Sequence, residues 1–267
     1  MMPDDFEETH NQVREQFGRT AAAYVSSPIH AQGDDLSQMV ALAEALHAGK
    51  MSEKKVLDVA TGGGHTALAF ARSGAKVTAT DLTPEMLAVS EAYISAQGVE
   101  GVAFAPAFAE ALPFADATFD IVTCRIAAHH FADALRFVVE SYRVLKLGGL
   151  LLLVDNIAPQ APELARLMNE IERRRDPSHV EAYSVAQWVG WFAKAGFDTL
   201  HLSRWQRNKD FSDWVARAGM TDAAQVGLEH DILTLTGIQK VYFCVHEREG
   251  RLESLAHEAM LLVGKKI

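Results

Sequence analysis

The stretch Val56-Leu57-Asp58-Val59-Ala60-Thr61-Gly62-Gly63-Gly64-His65-Thr66 decides the fold. A short apolar run reads as a buried strand, three glycines interrupt it, and a helical pattern begins at Thr66. Glycine has no Cβ and tolerates positive φ, so the backbone can turn sharply here and pass close to a ligand. The helix behind the turn offers N–H groups that have no partner inside the helix. At the first strand of an open α/β sheet, such a unit lies where ligands bind, outside the carboxyl ends of the strands.

Outward from this turn, short β-type runs at 56–60, 75–80, 102–105, 119–124 and 150–154 alternate with helical patterns at 66–72, 84–97 and 132–145. That alternation predicts a parallel sheet with helices on both faces. Thr83 before Pro84 carries both signals of a helix start and is expected to be an N-cap. Before residue 50 one or two helices are expected. After Val154, helices are expected at 162–175 and 184–195, a strand at 199–204, helical pattern over 210–236 and a last strand at 259–263. The reading is one domain over 1–267: an N-terminal helical cap at 1–50, a cofactor-binding core at 51–156, and substrate-side helices at 157–267 with a lid insertion at about 207–250.

The chain has 267 residues, 49% of them hydrophobic and 22% charged, the balance of a globular protein with a sizeable core. The longest apolar stretch, 147–154, contains two glycines and falls far short of the roughly 20 residues that span a bilayer. Residues 1–9 are acidic without an apolar run, so no secretory signal is expected and the cytoplasm is the expected location. A net charge of −10 disfavours a broad nucleic-acid surface. Cys124 and Cys244 lie in apolar, strand-like runs and read as core, and no histidine or cysteine pairing suggests a metal site.

Asp81 ends the second strand, where a carboxylate can accept hydrogen bonds from both ribose hydroxyls of an adenosine-type cofactor. Gly62-x-Gly64-x-x-Ala67 with Asp81 fits a dinucleotide such as NAD as well as S-adenosylmethionine. Four further segments stand in register with the turn, Asp81-Leu82-Thr83-Pro84-Glu85-Met86, Ala109-Glu110-Ala111-Leu112-Pro113-Phe114, Phe119-Asp120-Ile121-Val122 and Arg143-Val144-Leu145-Lys146-Leu147-Gly148-Gly149. With them the chain resembles the class I S-adenosylmethionine-dependent methyltransferases of the UbiE-like (ubiquinone/menaquinone biosynthesis) group, over almost its whole length.

The resemblance implies a Rossmann-like, doubly wound, mostly parallel seven-stranded sheet with a helical lid, and S-adenosylmethionine as cofactor with S-adenosylhomocysteine as product. It implies that Asp58 helps hold the methionine amino group, and that Ala60, Thr61, Gly62, Gly64, His65 and Thr66 form the turn beneath the cofactor. By the same resemblance Asp81 takes the ribose, Leu82 and Met86 flank the adenine, and the Ala109 and Glu110 backbone meets its edge. Arg125 and Ile126 would floor the methionyl part, and Phe17 and Tyr24 would close over the cofactor. Phe108 departs from the family, where many relatives carry Asp.

Methyl transfer from a sulfonium needs positioning, exclusion of water and, for a protonated acceptor, a base. His129 and His130 stand where strand four opens and are the candidate bases. Arg173, Arg174 and Arg175 could hold an anionic substrate group. Trp188, Trp191, Phe192, Trp205, Phe211 and Trp214 could wall an apolar pocket. The expected function is methyl transfer to a small, partly apolar acceptor, without nucleic acid or membrane span. The alternatives are a cofactor-binding protein without turnover and an NAD-dependent dehydrogenase. The Tyr-Asp-x-Met-Asn run of true quinone methyltransferases is absent.

Overall fold

In the computed structural model, which describes residues 6–25 and 33–267 and the side chains of these except 22–25, the period of two along each strand divides the interior into two layers. Leu57, Val59, Val122, Cys124, Leu151, Leu153, Met260 and Leu262 face one way and pack with Phe137, Val138, Trp188 and Phe192. Val56, Val77, Ala79, Ile121, Leu150, Leu152, Leu261 and Val263 face the other way and pack with Met39, Ala43, Leu68, Phe70 and Ile94. Because both faces are buried, the central strands read as nearly continuous apolar runs.

The elements in chain order are α1 (Glu7–Val25), α2 (Asp34–Leu46), β1 (Lys55–Val59), α3 (His65–Arg72), β2 (Lys76–Asp81), α4 (Pro84–Ala96), β3 (Ala103–Pro106), β4 (Phe119–Arg125), α5 (Ala134–Val144) and β5 (Leu145–Asn156). They continue with α6 (Pro162–Arg175), α7 (Val185–Ala195), β6 (Phe197–Asp210), α8 (Phe211–Arg217), α9 (Asp222–Leu233), α10 (Gly237–Tyr242), β7 (His246–Arg248) and β8 (Arg251–Lys266). The sheet runs β3-β2-β1-β4-β5-β8-β6, and β7 pairs with β8. β1 to β5 are parallel, and β8 is antiparallel to both β5 and β6. β6 therefore runs in the same direction as β5, and its carboxyl end reaches the same edge of the sheet.

The sheet has eight strands rather than the expected seven. The extra strand is made by a two-residue hairpin, Glu249-Gly250, both at positive φ (53° and 75°), the twist that suits a tight antiparallel return. β6 and β8 are also longer than expected. β5 and β8 pair only as far as Asn156↔Ala259, whereas the β6–β8 ladder continues to Asp210↔Ser254. The insertion thus begins as strand, not helix. Its helices α8 and α9 pack through Phe211, Trp214, Val215, Leu228 and Ile232 on Ile171, Leu252 and Leu255.

Two smaller expectations are corrected. Thr83 occupies the N-cap position of α4, but its side chain makes no cap hydrogen bond, and its N–H donates to the Asp81 carboxylate. Cys244 follows α10 in a turn with φ 45° rather than in a strand, while Cys124 is buried in β4.

The glycine turn contains two different kinds of constraint. Gly64 has φ 83°, and a Cβ there would sit 3.0 Å from Ser90 Cβ and 3.2 Å from Ile94 Cδ1 of α4. Gly62 has φ 52°, and a Cβ there would meet nothing within 4 Å. Ala60, ahead of them, is held at φ 54° although it is not glycine. We expect Gly64→Ala to cost about 1–3 kcal/mol in urea unfolding, from backbone strain and the clash with α4. Ala60→Gly should be neutral or stabilising within about 1 kcal/mol, as relief of strain offsets added chain entropy. A neutral Gly64→Ala would show that α4 does not press on the turn.

Candidate functional site

The carboxyl ends of β1, β2 and β4 open into a chamber with about 900 Å³ of space. Its floor is the glycine turn with Ala60, Thr61, Gly62, His65 and Thr66. One side is Asp81, Leu82 and Met86, another Phe108, Ala109 and Glu110, and the far end Arg125, Ile126, His130 and Phe131, with α1 covering it through His10, Val13 and Phe17.

Asp58 lies beneath this floor rather than on its wall, and is 1% exposed. Its Oδ2 accepts from the Thr61 hydroxyl at 2.7 Å and its Oδ1 from the Thr123 hydroxyl at 2.7 Å. The side chain thus ties the turn to β4. Burial pushes its pKa up to about 6, against the opposing pull of the two hydroxyls. A folded-state pKa above the unfolded value of 3.8 means that the native state binds the extra proton between these two values, so stability falls as pH rises through that interval. At neutral pH the ionised group costs roughly 3 kcal/mol.

Asp81 is placed on the wall by two backbone donors. Gly62 N–H donates to its Oδ2 at 3.0 Å and Thr83 N–H to its Oδ1 at 2.9 Å. Each oxygen keeps capacity for a further donor facing the chamber. Burial raises its pKa, and these N–H groups hold the rise in check. Glu110 lines the chamber but turns its carboxylate to the loop, accepting from Ala132 N–H at 2.8 Å. Phe108 presents a ring whose centroid is 4.7 Å from that of His10. Arg125 is fixed by a bidentate pair with Asp35 of α2 (2.7 and 3.0 Å). Ile126, next in the chain, has φ 57°, a strained conformation for a β-branched residue, and its N–H donates to Val154 O at 2.7 Å.

A second chamber, with about 550 Å³ of space, adjoins the first across Phe17, Ile126 and His130, which line both. Its other walls are His129, Asn156, Glu172, Arg175, Arg207, Lys209, Trp214 and Arg217. The turn Ala128–His130 sets the two histidines side by side, ring centroids 4.2 Å apart, in different environments. His129 Nδ1 is 2.6 Å from Asp155 Oδ1, and its backbone N–H donates to Asp155 Oδ2 at 2.9 Å. Burial lowers its pKa, but the charge and hydrogen bond of Asp155 outweigh this and raise it above its ordinary value. His130 Nδ1 lies 2.9 Å from Ser178 O, so Nδ1 carries the proton. Burial, followed by the neighbouring His129, lowers its pKa to about 4.

Of the residues expected at the site, fourteen line the first chamber: Phe17, Ala60, Thr61, Gly62, His65, Thr66, Asp81, Leu82, Met86, Ala109, Glu110, Arg125, Ile126 and His130. Asp58 lies below them, Gly64 packs on α4, and His129 belongs to the second chamber. The Tyr24 side chain lies outside the described residues. The aromatic wall is not where it was expected: Trp188, Trp191 and Phe192 pack in the core around α7, Trp205 packs beside the other core layer, and of the six only Trp214 lines the second chamber. His10, Asp155, Arg207 and Lys209 were missed, and Phe108, noted in the sequence as a departure from the family, also lines the first chamber. Asp155 carried a usable signal as the first polar residue after a buried strand, at its carboxyl end.

Residues 57–153 match a family model described as a methyltransferase domain. Over 251 residues the chain is 35% identical to the uncharacterized methyltransferase YcgJ of Bacillus subtilis, covering 94% of this chain and 97% of that one. The YcgJ crystal structure superposes with a TM-score of 0.82 over 87% of this chain and 98% of that chain. A crystal structure from Bacillus halodurans, assigned as a methyltransferase, superposes with a TM-score of 0.83 at 40% identity, over 88% and 99% of the two chains. A demethylmenaquinone methyltransferase of Chlorobaculum parvum is 39% identical over 116 residues, 43% of this chain and 46% of that protein.

Proposed function

Since the chain belongs to the class I S-adenosylmethionine-dependent methyltransferases, in their UbiE-like group, we propose that the first chamber holds S-adenosylmethionine and the second a small acceptor, with His129 taking the acceptor's proton. The observation that carries this reading is the shared wall of the two chambers at Phe17, Ile126 and His130. The residues present fit the cofactor. Gly62 faces open space where a Cβ would intrude, and Asp81 keeps acceptor capacity on both oxygens for two ribose hydroxyls. Leu82, Met86 and Phe108 give the adenine an apolar slot.

When bound, S-adenosylmethionine supplies a methyl group on a positively charged sulfur, already activated for in-line displacement. The protein's work is then position, dryness and proton removal. Helix α1 covers the cofactor chamber with Val13 and Phe17, and the Phe17 ring packs edge-on to His130 at 4.9 Å, excluding water at the junction. Asp155 holds the His129 ring by Nδ1, which leaves the Nε2 lone pair to accept a proton. His130, too weakly basic at a pKa of about 4, instead offers Nε2 as a neutral hydrogen-bond acceptor. Eight of the eleven residues lining the second chamber are polar or charged, while Phe17, Ile126 and Trp214 are apolar. An acceptor that is only partly apolar fits it better than the long hydrocarbon tail of a prenylated quinone.

Thermal-shift titration tests the cofactor. S-adenosylmethionine and S-adenosylhomocysteine should each stabilise the protein, by about 2.7 kcal/mol at 100 times the dissociation constant, and NAD should not. Asp81→Ala should weaken both by about 1.5–3 kcal/mol. Stabilisation by NAD alone, or none by either adenosyl compound, would overturn the reading.

The pH profile tests the base. Protonated His129 cannot accept a proton, so turnover should fall as pH drops through a value above the ordinary 6.5 of histidine, the direction set by Asp155. In Asp155→Asn that inflection should move to lower pH with cofactor affinity unchanged. An unmoved inflection would remove His129 from catalysis.

A further inference from the structure

The structure assigns to the second chamber a subsite for an anionic group, a carboxylate or a phosphate, carried by the acceptor and held by Arg207, Lys209 and Arg175; this rests on the reading that the chamber receives the acceptor. Arg207 and Lys209 stand two apart on β6, so their side chains leave the same face of the strand. Because β6 outruns β5, that face rises above the carboxyl edge of the sheet instead of packing against it. Arg175 ends α6 opposite them. Of the three consecutive arginines only Arg175 lines this chamber: Arg174 pairs with Asp231 at the surface, and Arg173 donates to the Val180 carbonyl.

These cations are buried, with side chains 10%, 6% and 10% exposed for Arg207, Lys209 and Arg175. Buried cations require anions close by. Lys209 has Glu172 at 2.5 Å and shares it with His257. Arg175 has Asp176 at 3.3 Å. Arg207 is the one poorly served. Its carboxylate, Asp35, is committed in bidentate fashion to Arg125, and reaches Arg207 only at 3.5 Å. Its other contacts are with neutral groups, the Asn156 amide oxygen at 3.4 Å and the Trp205 ring at 6.0 Å. Among the described residues at and beside this chamber, four carboxylates, Asp35, Asp155, Glu172 and Asp176, therefore face five cations, Arg125, Arg175, Arg207, Lys209 and Arg217. Burial, with repulsion from Arg125, lowers the Arg207 pKa, as an under-compensated guanidinium requires.

Of these carboxylates Asp155 is hydrogen-bonded to His129, and protonation of His129 adds positive charge. A ligand carboxylate or phosphate would meet the planar fork of Arg207 as a bidentate partner. Trp214 lines the same chamber with Lys209 and Arg175 over its ring at 4.9 and 5.5 Å. Anchored there, a small acceptor has its opposite end at the junction beside His130 and Ile126.

Calorimetric titration of the protein saturated with S-adenosylhomocysteine, using benzoate, phenyl phosphate and neutral benzamide, tests the assignment. At least one of the two anions should bind about tenfold or more tightly than benzamide, and whichever is preferred identifies the group. Arg207→Gln should lower that anion's affinity about 10- to 100-fold, the effect of a lost charge-assisted hydrogen bond, with S-adenosylhomocysteine affinity retained. The wild-type comparison of acid with amide needs no variant. Equal affinities, or no binding of any of the three to the S-adenosylhomocysteine complex, would overturn the subsite. Failure of S-adenosylhomocysteine itself to bind would overturn the underlying cofactor reading.

Discussion

The Asp58 carboxylate is buried under the point where β1 breaks into the glycine turn, and it ties the floor of the cofactor chamber to β4. Through Thr61 it fixes the first residues of the turn, and through Thr123 it fixes β4. The Asp58 carbonyl in turn accepts from the Thr80 hydroxyl of β2. The ends of three adjacent strands are thereby linked through one buried residue, by its carboxylate and its carbonyl. The cost is the loss of hydration of an ionised carboxylate, visible in its raised pKa, so stability at neutral pH is given up for the shape of a site.

Strain is placed at the same edge. Ala60 follows β1 and Ile126 follows β4, and both hold positive φ. Each turns the chain away from the strand axis just where a ligand would need room. Ile126 does so at the meeting of the two chambers, where its strained conformation is locked by the hydrogen bond to Val154. The second chamber arises from a different device, the extension of β6 and β8 beyond β5, which brings charged residues from late in the chain over the carboxyl edge. None of the described helices is long and apolar enough to cross a membrane.

The core of the fold was legible because its signals are local. Buried strands, the three glycines, and Pro84 at a helix start announce themselves within ten residues, and Asp81 follows from its strand. The second half was harder to read for a physical reason. On β6 only one face is buried, and its inward side chains include His201, Ser203, Arg207 and Lys209, so hydrophobic alternation is lost just where the strand becomes functional. Pairings that span long stretches of chain, such as Lys209 with Glu172 or His129 with Asp155, leave no trace in local pattern. Asp58 shows a further limit: motif position located the residue, but only the structure shows that its oxygens face the two threonines rather than the chamber.

The dependence of the site on Asp58 is best tested by calorimetric titration of S-adenosylhomocysteine into the wild-type protein and Asp58→Asn at pH 7.5. The substitution keeps the side-chain volume and removes the buried charge, and circular dichroism would report whether the fold persists. The wild type should bind, and the variant, folded, should bind at least about tenfold more weakly, because an amide cannot accept both threonine hydroxyls and hold the turn. Equal affinity in the two proteins would contradict the account, since the chamber floor would then owe its shape to the glycines alone.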